Sequence, residues 1–460
     1  MTVVYNDDMN EEKVYSIKEL AVRLGVNSRT LLREIERGKL RPKKVGRKYV
    51  FWESDIAGYL GRVEDAGGKV REFCQSKSHE MVALLQKLVA VPSESDSGGE
   101  ENLAKFIKGE MEKLGINTVV YGKGEAVTVQ GTFGYADSGI LLDCPLDATP
   151  AGDINKWTFP PYGGVINGGK MYGRGTADCK AGMVAMIYAV LALKDVVDRN
   201  KLRVELVFDG GEQNGAYLGM KAALKRGLPV TAGVIGYAGD TKRLAIGARG
   251  YHRFTFTCHG QAVHTGSSSK SGVNAISNMA RFILAMEKEK FPDVGGKYFP
   301  FGCRLTFAEI SGGTAINIVP DECTSRLDVR VIPGVEREWV ERMVNDVIAK
   351  MKREDPNLVM DWRYDLGQEG YVLNEKEKVI PVLLSVIGQV LDRTPELIAN
   401  GPAHIGNLLF EHKIPVVVWG PEGGNVHSYD EFVEIESVPR TAEIYARAIL
   451  EYFGYDGSSS

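Results

Sequence analysis

The chain has 460 residues, too many for one typical domain, with 44% hydrophobic residues, 25% charged residues and a net charge of −4. No apolar run approaches the length of a bilayer span, and the acidic start MTVVYNDDMNEEK does not read as a secretory signal. Six scattered cysteines (Cys74, Cys144, Cys179, Cys258, Cys303, Cys323) form no CxxC pair, so a reducing cytoplasm is the expected setting.

The near-neutral average hides a basic N-terminal stretch. Between residues 13 and 50, Lys13, Lys18, Arg23, Arg29, Arg33, Arg37, Lys39, Arg41, Lys43, Lys44, Arg47 and Lys48 face only Glu19, Glu34 and Glu36. Ser16 is placed to cap a first helix, IKELAVRLG, with Leu20 and Leu24 on one face. Gly25-Val26 makes a tight turn, and Asn27 or Ser28 caps a second helix, RTLLREIERG, with Leu31, Leu32 and Ile35 inward. Gly38 stops that helix. The next segment, KLRPKKVGRKYVFW, reads as two short strands around Lys44–Arg47, and Glu53–Leu60 closes the unit as a helix. Helix, turn, helix and basic hairpin make a winged helix-turn-helix over residues 1–66. Its second helix would enter the major groove, led by Arg29, Thr30 and Arg33, while Lys43, Lys44, Arg47 and Lys48 meet phosphates. The alternative for such a module is contact with protein or RNA.

Residues 67–78 mix glycine and charge without periodicity and read as a linker or short connecting helix. From His79 onward, amphipathic helices (HEMVALLQKLVAV, LAKFIKGEMEKLG) alternate with apolar strands near 118–121, 126–131, 140–142, 204–208, 233–236 and 416–419. Helices alternating with strands predict a mainly parallel sheet covered on both faces. Residues 247–357 break the rhythm: strands in HRFTFTCHG, RLTFAEISGG and TSRLDVRVIPG surround helices at 271–288 and 336–351. This predicts an inserted α+β lid, so the α/β domain occupies 79–246 and resumes at 358–456.

The stretch 141–180, LLDCPLDATPAGDINKWTFPPYGGVINGGKMYGRGTADCK, is the most informative. A buried strand ends on Asp143 and Asp147, and GRGTADCKAG leads into an apolar helix over 183–194. Carboxylates at strand ends beside glycine turns are where α/β proteins build sites. The glycine pairs at 210–211 and 423–424 need be no more than turns.

The VYSIKELAVRLGVNSRTLLREIERGKLRPKKVGRKYVFWESDIAGYL segment resembles the excisionase/MerR-type DNA-binding domains. The 141–180 stretch, with SGGTAINIVPDECTSRLDVRVIPG, the lid segment around His264 and GPEGGNVHSYDEFVEIES, resembles the zinc-dependent aminoacylase, carboxypeptidase and acetylornithine-deacetylase superfamily across about residues 79–456. That resemblance implies an α/β hydrolase-like domain with a ferredoxin-like lid that makes a homodimer, and a dinuclear zinc centre. Two zinc ions call for two His, two terminal carboxylates and a bridging carboxylate, with a Glu to take the proton of the attacking water.

Matching position by position, the resemblance places the general base at Glu212, its supporting carboxylate at Asp147, the bridging carboxylate at Asp178 and one histidine ligand at His427. In the lid, His264, Asn317 and Arg330 match oxyanion- and substrate-binding positions, and His404 falls near a substrate-binding turn. The pattern departs where it matters. Pro145 stands where the first histidine belongs, Gln213 replaces a glutamate, and Tyr237 occupies the third carboxylate position, with Asp240 three residues on. Proline offers no donor and glutamine is a weak neutral ligand, so the expected cofactor is no zinc or one, not two. Cys144 and Cys179 could supply substitute thiolates or could simply be small buried residues. Asp143 and Asp147 could equally be loop caps.

Two functional expectations follow. In the first, the chain is a transcriptional regulator that binds double-stranded DNA and senses a small amino-acid- or peptide-like ligand without catalysis. In the second, it is an amide-cleaving metallohydrolase with a mononuclear or rearranged site, carrying a DNA-binding domain.

Overall fold

The computed structural model describes residues 2–5, 11–24, 26–36, 40–45, 48–95, 97–269, 271–294 and 296–454. The expected Gly25 turn, the Gly38 stop and the wing residue Arg47 lie outside them.

The N-terminal unit forms as its caps dictate. Ser16 Oγ accepts from the Glu19 amide while the Glu19 carboxylate accepts from the Ser16 amide, a capping box that starts the helix Ile17–Arg23. Asn27 Oδ1 accepts from the Thr30 amide at 2.9 Å and opens the helix Ser28–Glu36. Leu20, Ala21, Leu31, Leu40, Phe51 and Ile56 close a small core. Leu32, expected inward, is 39% exposed, because Leu31 and Ile35 already fill the buried stripe. The wing strands Lys43–Val45 and Lys48–Trp52 pair, and the sheet extends through Glu11–Ser16 to Thr2–Tyr5, an edge the sequence reading omitted.

The final helix of this unit does not stop near residue 60. It runs as one helix, Glu53–Ser76, through the expected linker at 67–78. Ala66, Val70 and Cys74 are buried in the core of the following domain, and Arg71 pairs with Glu443 at 3.2 Å. Gly67-Gly68 weakens the helical pattern in the sequence, yet Gly67 packs by the Arg447 side chain and burial of its neighbours carries the helix through.

The large sheet has nine strands and is mixed. Its centre is parallel, as expected: Arg203–Asp209, Gly139–Pro145, Val230–Ile235 and Val416–Val418 run side by side. Toward the margins antiparallel pairs enter, Thr128–Gly134 against Arg203–Asp209 on one side and Arg243–Ala248 against Val416–Val418 on the other, where Glu396–Asn400 adds a parallel partner. Gly139–Pro145 is buried at every residue, as a central strand with both faces covered should be. One face packs on helices that include Ala181–Ala192 and Ser437–Phe453, and the other on Leu218–Arg226 and Ile405–Glu411.

The lid is a four-stranded antiparallel sheet in the order Arg304–Gly312, Glu322–Val331, Gly250–His259, Val359–Gln368. With helices Ala275–Met286 and Arg337–Glu354 over one face it has the βαββαβ order of a ferredoxin-like unit. The expected lid boundary at 357 is therefore too early. Val359–Gln368 pairs along the whole of Gly250–His259 and belongs to the lid sheet.

Candidate active-site cleft

The cleft forms where the central parallel strands end. Beyond Pro145 the chain turns so that Asp147 accepts from the backbone amides of Glu212 (3.1 Å) and Gln213 (2.8 Å), with Ser95 Oγ at 3.4 Å. Asp147 thus fixes the turn that follows Arg203–Asp209 and holds Glu212 in place. Burial pushes its carboxyl up to about 6, against the pull of the two amides. Glu212 is half-buried and accepts from the Tyr237 hydroxyl at 3.0 Å. Burial, then the nearby Asp178 and Asp147 carboxylates, lift its pKa well above the ordinary range.

Asp178 lies at the centre. Its Oδ2 pairs with His427 Nε2 at 2.9 Å and accepts from Gln213 Nε2 at 3.3 Å; its Oδ1 accepts from the Cys179 thiol at 2.9 Å. Thr149 donates to Gln213 Oε1 at 3.1 Å, which turns the amide so that its NH2 faces Asp178. His427 sits in the left-handed region, φ 61°, and its hydrogen bond to Asp178 raises its pKa. The loop carrying Asp178 is itself held by Glu431. That carboxylate accepts from the amides of Gly175, Ala177 and Asp178 and pairs with the buried Arg174 at 2.7 Å.

Asp143 is not a loop cap. It lies inside its strand, fully buried, opposite Val207, with Asp209 two residues along the neighbouring strand. No other side chain among the described residues bonds either carboxyl; the Met220 backbone amide reaches Asp209. They interact with each other, so at least one holds a proton; burial raises both, and each raises or shares the proton of the other. Asp209 was not a sequence candidate.

Pro145 has no donor, the Tyr237 hydroxyl is committed to Glu212, and Gln213 presents N–H donors, not a lone pair, toward Asp178. Among the described residues no group of three or more His, Cys, Asp or Glu side chains is arranged to hold a metal ion. A dinuclear zinc pair does not fit this donor set.

The remaining expected residues are dispersed. Arg330 reaches the cleft side of the lid: it bonds Asp328 at 2.7 Å and lies over the Tyr251 ring, whose hydroxyl reaches the Gly215 carbonyl beside Glu212. His264 and Asn317 are exposed neighbours, Thr265 N donating to the Asn317 carbonyl, at the opposite end of the lid strands. His259 pairs with Glu322 and Tyr251 with Arg330, eight registers apart, so roughly 26 Å of strand separates the two ends. One chain does not assemble these three into one site. His404 is buried; its Nδ1 accepts from the Gly406 amide at 3.0 Å to cap Ile405–Glu411, between the rings of Tyr237 and Tyr371. Burial lowers it to about 4, so it is neutral. Asp240 turns away to Arg243 at 3.6 Å and the Lys242 amide. In the N-terminal unit Arg29, Arg33, Lys43, Lys44 and Lys48 are exposed and Thr30 partly so.

The model of the family described as "Peptidase family M20/M25/M40" matches residues 141–451, and that of a helix-turn-helix domain matches residues 14–62. The chain belongs to peptidase family M20/M25/M40. Among its relatives, a succinyl-diaminopimelate desuccinylase of Caulobacter sp. (strain K31) is 24% identical over 385 residues, 82% of this chain and 97% of that protein. The M20 fold recurs in aminopeptidase PepT from Bacillus cereus (TM-score 0.68, 21% identity, 82% of this chain and 99% of that one). It recurs also in the Bacillus subtilis YXEP protein, described as a dinuclear metal-binding peptidase (TM-score 0.63, 14% identity, 83% and 99%). The expected superfamily and the N-terminal helix-turn-helix are both present, and the M20 domain is a hydrolase domain by descent. No helix is long and apolar enough to cross a membrane among the described residues.

Proposed function

We propose that this chain is a DNA-binding regulator whose M20 domain recognises a small amino-acid- or peptide-like ligand without hydrolysing it. The observation that carries the reading is the occupancy of Asp178. Its oxygens are taken by His427, by the Gln213 amide and by Cys179, in a cleft where proline and tyrosine replace two further ligands. Function lives in the site, not the fold, and this site lacks most of the ligands a Lewis-acid centre would need.

A groove of about 240 Å³ shares the Tyr237 wall and is lined by Asp240, Arg243, Asn400 and Trp419. Asp240 and Arg243 pair with each other at 3.6 Å, so an amino acid would bind there by exchanging that pair for its own two charges. The exposed cations of Ser28–Glu36 and the wing supply the DNA face. Signal passes through the helix Glu53–Ser76, which packs on Ala181–Ala192, the helix that begins where the Asp178 loop ends. A homodimer formed through the exposed lid edge Arg304–Gly312 would pair two winged helices for a two-fold operator.

The test combines DNA footprinting of the full-length protein on its own promoter region with metal analysis and an amide-hydrolysis assay, using succinyl-diaminopimelate and dipeptides as probes. The expected result is a protected site whose affinity shifts with a probe, with no hydrolysis. Two tightly bound zinc ions with turnover would overturn it in favour of the second reading, a hydrolase with rearranged ligands. Glu212, half-buried beside Tyr237 with a raised pKa, is the feature that favours that reading.

A further inference from the structure

The lid joins the body through two crossovers: Arg249, between Arg243–Ala248 and Gly250–His259, and Glu369-Gly370, between Val359–Gln368 and Tyr371–Val372. They run backbone to backbone, since a Cβ on Gly250 would stand 2.2 Å from the Gln368 carbonyl oxygen. One buried side chain of the body holds both. Asn407, 1% exposed on the helix Ile405–Glu411, donates from Nδ2 to the Glu369 carbonyl at 2.7 Å and to the Arg249 carbonyl at 3.1 Å. Its Oδ1 accepts from the His404 amide at 3.0 Å, so both N–H groups of the side-chain amide are committed to the crossovers. Each crossover residue turns its side chain the other way, into the lid. Glu369 Oε1 accepts from the Arg337 amide at 3.1 Å, at the start of Arg337–Glu354, and Arg249 Nη1 donates to the Gly302 carbonyl at 3.5 Å.

Two points held on the body define an axis. The lid can swing about the line through these two carbonyls with both bonds kept, and any other displacement breaks at least one of them. This pin is joined to the cleft. The ring of His404, whose amide Asn407 holds, lies edge-to-face between Tyr237 and Tyr371, 6.0 Å from each, and Tyr371 directly follows the second crossover. His404 Nε2 has no partner among the described residues, so the ring is placed by its two aromatic neighbours and by the cap on Gly406. At the far side of the stack the Tyr237 hydroxyl donates to Glu212 at 3.0 Å. The free side of the lid rests on the same turn, where the Tyr251 hydroxyl donates to the Gly215 carbonyl at 3.4 Å. We propose that Asn407 is the pin of the lid hinge, and that His404 and Tyr237 are positioning residues that join it to Glu212, so that a group bound at Glu212 alters how freely the lid swings. A group that takes the Glu212 carboxylate releases the Tyr237 hydroxyl, shifts its ring against His404 and is felt at both crossover carbonyls. The inference concerns the attachment of the lid and stands whether or not the cleft hydrolyses an amide.

The test is amide hydrogen exchange of the full-length protein, read by mass spectrometry at the two crossovers and at the central strand Gly139–Pro145. Each hydrogen bond lost is worth roughly 5-fold in a local opening equilibrium. Asn407→Leu loses both, so it should speed exchange at the crossovers roughly 25-fold and at the central strand far less. Tyr237→Phe removes only the bond to Glu212, and His404→Asn removes the ring while keeping an acceptor for the helix cap. Each should speed the crossovers at least about 2-fold. The double variant decides whether the coupling runs through His404: Tyr237→Phe should add nothing in the His404→Asn background. A purely structural role for these residues gives additive effects and equal gains at the central strand, and either result would overturn the proposal. So would crossovers that exchange at the wild-type rate in Asn407→Leu. If Asn407→Leu fails to fold, the cycle on Tyr237 and His404 decides alone.

Discussion

If the N-terminal unit grips DNA as proposed, its salt dependence follows from a count. Arg29 and Arg33 on the second helix and Lys43, Lys44 and Lys48 on the wing are exposed. Lys43 Nζ lies over the ring of Trp52 at 5.4 Å and Lys44 Nζ over that of Tyr49 at 5.8 Å, cation–π contacts that position the two ammonium groups on the wing. If the three lysines meet phosphates, counterion release predicts a log–log slope near −2.7 per winged helix, or about a 40-fold loss of affinity between 50 and 200 mM salt. The double variant Lys43→Ala/Lys44→Ala removes two contacts. Its slope should fall to about −0.9, and its loss over the same salt range to about 3-fold. Fluorescence anisotropy with the footprinted duplex measures both. A wild-type slope near zero, or one that the double variant leaves unchanged, would refute the wing's role. Arg33→Ala should behave differently, costing about 1–3 kcal/mol on the specific duplex and much less on random DNA.

Other expectations concern the body. Arg174→Met leaves Glu431 buried without its cation and should destabilise the fold by about 3–5 kcal/mol in urea unfolding; a loss below ~1 kcal/mol would show that the amide bonds to Glu431 suffice alone. Asp147 titrates near 6 in the folded protein and near 4 when unfolded, so the native state binds the extra proton between those values. Its contribution to stability is therefore greatest below about pH 4 and is lost as pH rises to about 6, by about 3 kcal/mol. Urea midpoints for wild type and Asp147→Asn across that window should diverge accordingly, and parallel profiles would rule the shift out. Gly68→Ala introduces a methyl with no atom within 4 Å, so it should raise the melting temperature through about 0.5–1 kcal/mol of helix propensity. Val70→Ala, fully buried against the M20 core, should instead lower stability by about 2 kcal/mol.

Much of the architecture was legible because periodicity and caps speak locally. Ser16 with Glu19, Asn27 ahead of the second helix, and the wholly apolar Ala181–Ala192 each announce themselves within a few residues. In the cleft, Asp178 lies beside His427 and Glu212, three positions that only the family resemblance had pointed to. What failed depends on tertiary neighbours. Val359–Gln368 alternates charged and apolar residues as an outer strand does, but only its pairing with Gly250–His259 assigns it to the lid. Asp143 and Asp209 are 66 positions apart, each an ordinary strand-end acid until parallel register sets them together. His404 read as pocket lining because a histidine in a glycine-rich turn resembles a ligand; its Nδ1 caps a helix, and its buried Nε2 has no partner among the described residues. Gly67-Gly68 read as a break because intrinsic propensity was judged without the hydrophobic neighbours that override it.

The helix Glu53–Ser76 has a geometric meaning beyond joining two units. Twenty-four residues at 1.5 Å per residue give a rod of about 36 Å. One end is seated in the core that contains Ile56, the other in the core that contains Val70 and Cys74. A tilt of about 5° at the seated end would carry the far end roughly 3 Å, near the ~3.4 Å spacing of adjacent base pairs. On the proposed function, a tilt of this size at the seated end would become, by leverage alone, a step on the scale at which DNA is read.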